Sequence, residues 1–235
     1  MEKITDFLKE GRRRFGDKTY IQDHFSDELN LYLLGERVGD GAEHRVYEYG
    51  EEKVVKVPRV NMLYGHFAGE IYENYDICRK YFPDFLLESE ILHDEDGHYI
   101  MIQRKLNNPR NFSVHDLEND ELREQFEEIV ESNRKMVEEG LGTYDFFGMK
   151  GVIESYLDNL KFNNKGAELS NILVEEQEDG TERIVLSEFD LIKYRDNSKS
   201  LKDSLISNIS FLAQRYSLKK FFGYDLGKTR KRKAK

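Results

Sequence analysis

Apolar residues recur at steps of three and four along some stretches of the chain and gather in short alternating runs along others. This change of period divides the sequence into helices and strands. Between Asp120 and Glu139, Leu122, Phe126, Ile129, Val130 and Val137 form one stripe, with Asn119 before it as a cap and Gly140 after it as a stop, which predicts a helix over 120–139. Leu63, Phe67, Ile71, Tyr75, Cys78 and Phe82 predict a second helix, ended by Pro83. Leu201, Leu205, Ile209, Leu212 and Tyr216 predict a third that ends near Gly223. Ile4, Phe7 and Leu8 mark a short amphipathic helix within residues 2–14.

Strand patterns occupy the first half, near 31–38, 44–49, 53–58, 86–92 and 98–104, with turns at Gly50-Glu51-Glu52 and Asp94-Glu95-Asp96-Gly97. One helix is inserted between the third and fourth of them. A further hairpin joins residues 171–174 to 183–186 through an acidic turn. The expected fold class is α+β: an antiparallel five-stranded lobe with one helix, then a compact, mainly helical lobe. The corresponding divisions are an N-terminal extension over 1–30, the two lobes over 31–106 and 107–225, and a tail over 226–235.

The 235 residues suffice for a hydrophobic core, and the balance of 38% hydrophobic and 35% charged residues belongs to a globular chain with a heavily solvated surface. Apolar runs such as Tyr99-Ile100-Met101-Ile102 stop far short of the roughly 20 residues a membrane span needs, so none is expected. The single cysteine, Cys78, cannot form an internal disulfide; a cytoplasmic, reducing location and a buried inert thiol are the expectations. The net charge is −10, yet the last eight residues hold six cations, which leaves about −16 on the rest. A body this acidic repels polyphosphate chains, so nucleic acid is not expected as a partner except through the basic tail. No two of the six histidines share metal-ligand spacing on one helix, and a zinc site is not expected.

Candidate chemistry begins at Gly39-Asp40-Gly41-Ala42-Glu43-His44, between two strands. Glycines there let the backbone approach a ligand closely, and free amides can line a phosphate, although a glycine-rich hairpin also stands without a ligand. Ten residues after Val46, Lys56 sits inside the apolar run Val54-Val55-Lys56-Val57. A buried ammonium calls for a carboxylate partner, and Glu70 on the following helix, or Glu73, is placed to provide one.

In this order the features resemble the N-terminal lobe of the protein-kinase-like superfamily: a glycine loop (Gly39, Gly41), a lysine that grips nucleotide phosphates (Lys56) and a helix glutamate that orients it (Glu70). The third loop glycine is replaced by His44. The resemblance implies adenine contacts from the backbone around Gln103 to Lys105. It continues in the second half, where Asn171 in Leu169-Ser170-Asn171-Ile172-Leu173 matches a metal-binding asparagine. Leu186-Ser187-Glu188-Phe189-Asp190 is similar to a metal-binding Asp-Phe-Gly segment, with Glu188 in place of the aspartate and Asp190 in place of the glycine. The catalytic aspartate of the family would fall on Gly166; Glu168 or Asp145 is the candidate substitute. What the resemblance implies is an atypical, minimal ATP-dependent phosphotransferase with Mg²⁺ held by Asn171, Glu188 and Asp190. Its hydroxyl acceptor, protein or small molecule, is not identified. The alternative is a pseudokinase, a nucleotide-binding or regulatory module without phosphoryl transfer.

Overall fold

A computed structural model describes residues 19–40, 44–58, 68–148, 168–193 and 201–226, with the backbone alone at Asp40 and Ala68 and over 201–207. The helix expected within 2–14, the residues Gly41, Leu63, Phe67 and Gly166, and the basic stretch 228–235 lie outside the described residues. The architecture is α+β, and the chain divides into two compact units, residues 1–72 with 88–105, and residues 73–87 with 106–235.

The first unit is built on a five-stranded antiparallel sheet of β1 (Leu34–Asp40), β2 (His44–Tyr49), β3 (Lys53–Pro58), β4 (Ser89–His93) and β5 (Tyr99–Arg104), in the order β1-β2-β3-β5-β4. Gly50 adopts φ +67° in the β2–β3 turn and Gly97 φ +85° between β4 and β5, a backbone region open to glycine. A helix over residues 19–25, α1, covers one face of the sheet. Its Tyr20, Ile21 and Phe25, together with Leu29, pack on Tyr47, Val55, Val57, Ile100 and Ile102. Residues that the sequence pattern assigns to an extension thus supply four of the nine buried residues of this core.

Helix α2 (Ala68–Tyr81) follows β3 and begins the second unit in its later turns. In that unit a three-stranded antiparallel sheet runs in the order β6 (Arg110–Ser113), β8 (Glu168–Glu176), β9 (Glu182–Leu186). The sequence pattern predicts the β8–β9 hairpin, and β6 completes it along the other edge of β8 through Phe112. Helix α3 (Asp120–Glu139) lies against the sheet with the predicted bounds. The Asn119 side chain accepts from the amides of Glu121 and Leu122, and Gly140 closes the helix at φ +76°. Helix α4 (Leu201–Ser217) runs on into a short π-helical turn, Leu218–Phe222. That turn adds Phe222 to an aromatic cluster in which Phe112 stacks on Phe126 at 4.7 Å between ring centroids. No helix among the described residues is long and apolar enough to cross a membrane.

Candidate functional site

Two groups of the predicted residues are described separately, one in each unit. In the first unit, antiparallel pairing aligns Gly39 with Val46, Val46 with Lys56, and Lys56 with Met101. Directly paired residues share a sheet face, so Gly39 and Lys56 stand in one row. Val55 and Val57 point the other way, onto α1, which puts the lysine row on the face that α1 leaves uncovered. A Cβ added at Gly39 would lie 3.1 Å from Val46, so this glycine gives the strand its close approach to β2. Lys56 is only 5% exposed, and His44, in the third-glycine position, is buried with Nε2 3.0 Å from the Tyr99 hydroxyl.

Glu70 lies in the first turn of α2, half-buried, and neither it nor Lys56 lacks an interaction partner. Glu73, the other candidate, forms an ion pair with Lys193 at 2.8 Å. Gln103 and Lys105 are engaged within the unit. The Gln103 backbone lies between Val54 of β3 and Ser89 of β4, and its side chain donates to Ser89 Oγ at 2.7 Å. The Lys105 N–H donates to the Glu52 carbonyl at 2.6 Å, and its ammonium pairs with Glu48 at 2.6 Å. Strand β5 lies between β3 and β4 as far as Gln103, so the Gln103 backbone stands within the sheet.

In the second unit the chain assembles a compact polar site from sequence-distant pieces. Strands β7 (Thr143–Tyr144) and β10 (Leu191–Ile192) form a two-residue ladder. Pairs this short do not hold themselves, and buried amides from two helices complete them. Asn133 of α3 accepts from the Tyr144 N–H at 2.8 Å and donates to Thr143 Oγ1 at 2.9 Å. Gln214 of α4 donates to the Tyr144 carbonyl at 2.7 Å and accepts from the Phe146 N–H at 2.9 Å.

Asp145 follows directly and is fully buried. Its N–H donates to the Asp190 carbonyl at 2.9 Å, its carbonyl accepts from Asn171 Nδ2 at 2.8 Å, and its Oδ1 accepts from the Phe147 N–H at 3.3 Å. Gly148, at φ +66°, lets the loop pass so near Asn171 that an added Cβ would stand 2.8 Å from Ser170 Oγ and 3.3 Å from Asn171 Oδ1. The Tyr144 hydroxyl lies 2.8 Å from the Asn171 carbonyl and 3.0 Å from that of Glu188, so one proton is shared between β8 and the segment that follows β9. Burial pushes this phenol well above its ordinary range, and the nearby carboxylates of Glu188, Asp190 and Asp145 push it the same way. Cys78 is fully buried, and burial, with Asp190 adding to it, raises its thiol well above the usual value, so it stays protonated and inert.

The structure therefore brings Asp145, Asn171, Glu188 and Asp190 to one locality, and it leaves Glu168 outside. Glu168 is exposed at the start of β8 and accepts from the Asn111 amide at 3.2 Å. Tyr144, Asn133 and Gln214, which position the acidic group, were not singled out from the sequence, where a Tyr-Asp pair and two helix amides carry no signature. The donor set is hard oxygen, as Mg²⁺ requires. Among the described residues the three carboxylates do not all approach within 4.8 Å of one another. The Asn171 side-chain nitrogen is committed to the Asp145 carbonyl.

Removing the shared hydroxyl tests the local design. Tyr144→Phe is expected to leave two buried carbonyls short of a donor and to cost about 1–3 kcal/mol, read as a lower denaturation midpoint at unchanged slope. Compared with known proteins, the chain matches no family model and no curated protein.

Proposed function

We propose that the protein is an atypical ATP-dependent phosphotransferase with a bilobal, protein-kinase-like fold, passing the γ-phosphoryl group to a hydroxyl acceptor. The observation that carries this is the convergence of Asp145, Asn171, Glu188 and Asp190 in the second unit, where the usual catalytic-aspartate slot at Gly166 offers no carboxylate. Asp145 takes the role of the base that orients the acceptor hydroxyl and receives its proton. Asn171, Glu188 and Asp190 are assigned to Mg²⁺, which when bound neutralises the charge on the transferring phosphoryl group. Lys56 and the loop containing Gly39 and Gly41 are assigned to the nucleotide phosphates, with Glu70 orienting the lysine.

Glutamate at 188 reaches further than aspartate by one methylene, and Asp190 supplies the second carboxylate that lets the longer side chain serve. A pseudokinase keeps nucleotide binding without needing Asp145; the placement of residue 145, whose backbone carbonyl accepts from Asn171, supports the enzyme reading.

Nucleotide binding is tested by melting the full chain with ATP, with and without Mg²⁺. At 100 times Kd a ligand adds about 2.7 kcal/mol, a rise of roughly 5–10 °C for a chain of this size. The expected result is a Mg²⁺-dependent rise that Lys56→Met and Asp190→Asn each remove. Equal melting with and without nucleotide contradicts the proposal.

A further inference from the structure

The first unit holds a second cluster of ligand-type side chains, unrelated to the acidic group. His24 lies on α1, and Asp94 and His98 lie at the two ends of the β4–β5 turn. His24 Nδ1 and His98 Nδ1 each stand 2.7 Å from the same oxygen, Asp94 Oδ2. The other oxygen, Oδ1, accepts the His98 backbone N–H at 2.8 Å, which pins the carboxylate in the turn. The turn is closed by hydrogen bonds from the Asp94 N–H to the His98 carbonyl and from the Gly97 N–H to the Asp94 carbonyl. The imidazoles lie 3.8 Å apart between centroids, tilted by 35°, and Tyr20 packs against both. Among the described residues this is the one group of three His, Cys, Asp or Glu whose ligand atoms all fall within 4.8 Å of one another.

The chemistry of the three atoms is specific. A carboxylate oxygen only accepts, so each Nδ1 carries a proton when it bonds to Oδ2, and two N–H groups converge on one acceptor. A divalent cation replaces both protons at once and bonds all three atoms. Two imidazole nitrogens with one carboxylate oxygen suit zinc and its neighbours, and they do not suit Mg²⁺ or Ca²⁺, which take oxygen sets. Tetrahedral zinc with ligands at about 2.0–2.1 Å separates its donors by roughly 3.3 Å, so each Nδ1 must retreat from Oδ2 by about 0.6 Å. Side-chain exposures of 27% for His24, 30% for His98 and 19% for Asp94 give solvent access for entry and for a water in a fourth position.

We propose that His24, Asp94 and His98 form a binding site for a divalent cation of the zinc class, which clamps α1 to the β4–β5 hairpin. The sequence shows no such site because His24 is 70 residues from Asp94, and only the packing of α1 on the sheet closes that gap. Spacing along the sequence gives no expectation of zinc; the proposal rests on the spatial cluster.

The test is a titration of Zn²⁺ into the full chain by calorimetry, repeated with Co²⁺ followed by its visible absorption, for the wild type, His24→Ala, His98→Ala and His115→Ala. His115 is an exposed histidine and serves as the control. The expected result is one metal per chain, tetrahedral-type cobalt absorption, and affinity at least about 100-fold weaker in His24→Ala and His98→Ala but unchanged in His115→Ala. Failure of the wild type to bind saturably, or equal binding by His24→Ala and His98→Ala, overturns the proposal. Should an alanine variant not fold, proton NMR of the wild type decides. Paramagnetic Co²⁺ must shift the His24 and His98 ring signals while leaving His115 in place, and shifts at other residues alone refute the site.

Discussion

Asp145→Asn is expected to lower phosphoryl transfer by about 10²–10⁴-fold while leaving the melting temperature close to that of the wild type. A positioned base contributes that range of rate, and the substitution removes the proton-accepting charge without changing the shape of the side chain. Asparagine keeps an Oδ1 to accept the Phe147 N–H, and the two backbone bonds of residue 145, to Asp190 and from Asn171, do not involve the side chain. Glu168→Gln serves as the matched control. Glu168 is exposed and held by Asn111, so its loss is expected to change transfer little. Rates of label transfer from γ-labelled ATP for the two variants decide between the substitutes. Full transfer by Asp145→Asn with loss in Glu168→Gln would reverse the assignment.

The largest expected effect on stability is Phe126→Ala. Phe126 is fully buried on the stripe of α3 and meets Phe112, Phe146, Phe222 and Tyr224, so one ring joins the three-stranded sheet, the segment after Asp145 and the C-terminal turn. Truncation of a core phenylalanine costs about 3–5 kcal/mol, a large fraction of the 5–15 kcal/mol that holds a typical domain. Urea unfolding followed by circular dichroism should show the loss. Because Phe146 adjoins Asp145, activity is expected to fall at temperatures where the variant remains mostly folded. A loss under about 1 kcal/mol would show that the site collapses around the missing ring and that the aromatic cluster is not what braces it.

What the sequence made legible follows from how locally each feature is determined. Helix α3 could be bounded to the residue because cap, stripe and terminal glycine are all within its own 22-residue stretch. The five strands of the first unit were legible from their alternation and turns, with ends displaced by a few residues. Strand β6 was not, because Arg110-Asn111-Phe112-Ser113 holds one apolar residue and becomes a strand only through its ladder with β8. Strands β7 and β10 depend on Asn133 and Gln214, whose hydrogen bonds no local pattern encodes. Likewise Asn171, Glu188 and Asp190 were named from two short motifs and Asp145 as one of two substitutes, but that Asp145 rather than Glu168 meets Asn171 is decided by the fold, which brings it across 26 residues. Helix α1 escaped notice for the same reason: Tyr20, Ile21 and Phe25 gain meaning only from the sheet face they cover.

The central claim is that the acidic group around Asp145 performs phosphoryl transfer, and one measurement addresses it without knowledge of the acceptor. Purified full-length protein is incubated with γ-labelled ATP and Mg²⁺, and label is counted both as released phosphate, with water standing in for the acceptor, and as label retained on the chain. The account predicts Mg²⁺-dependent turnover above background that Asp145→Asn and Glu188→Ala each abolish. Turnover no greater than that of Asp145→Asn, by either count, would contradict it.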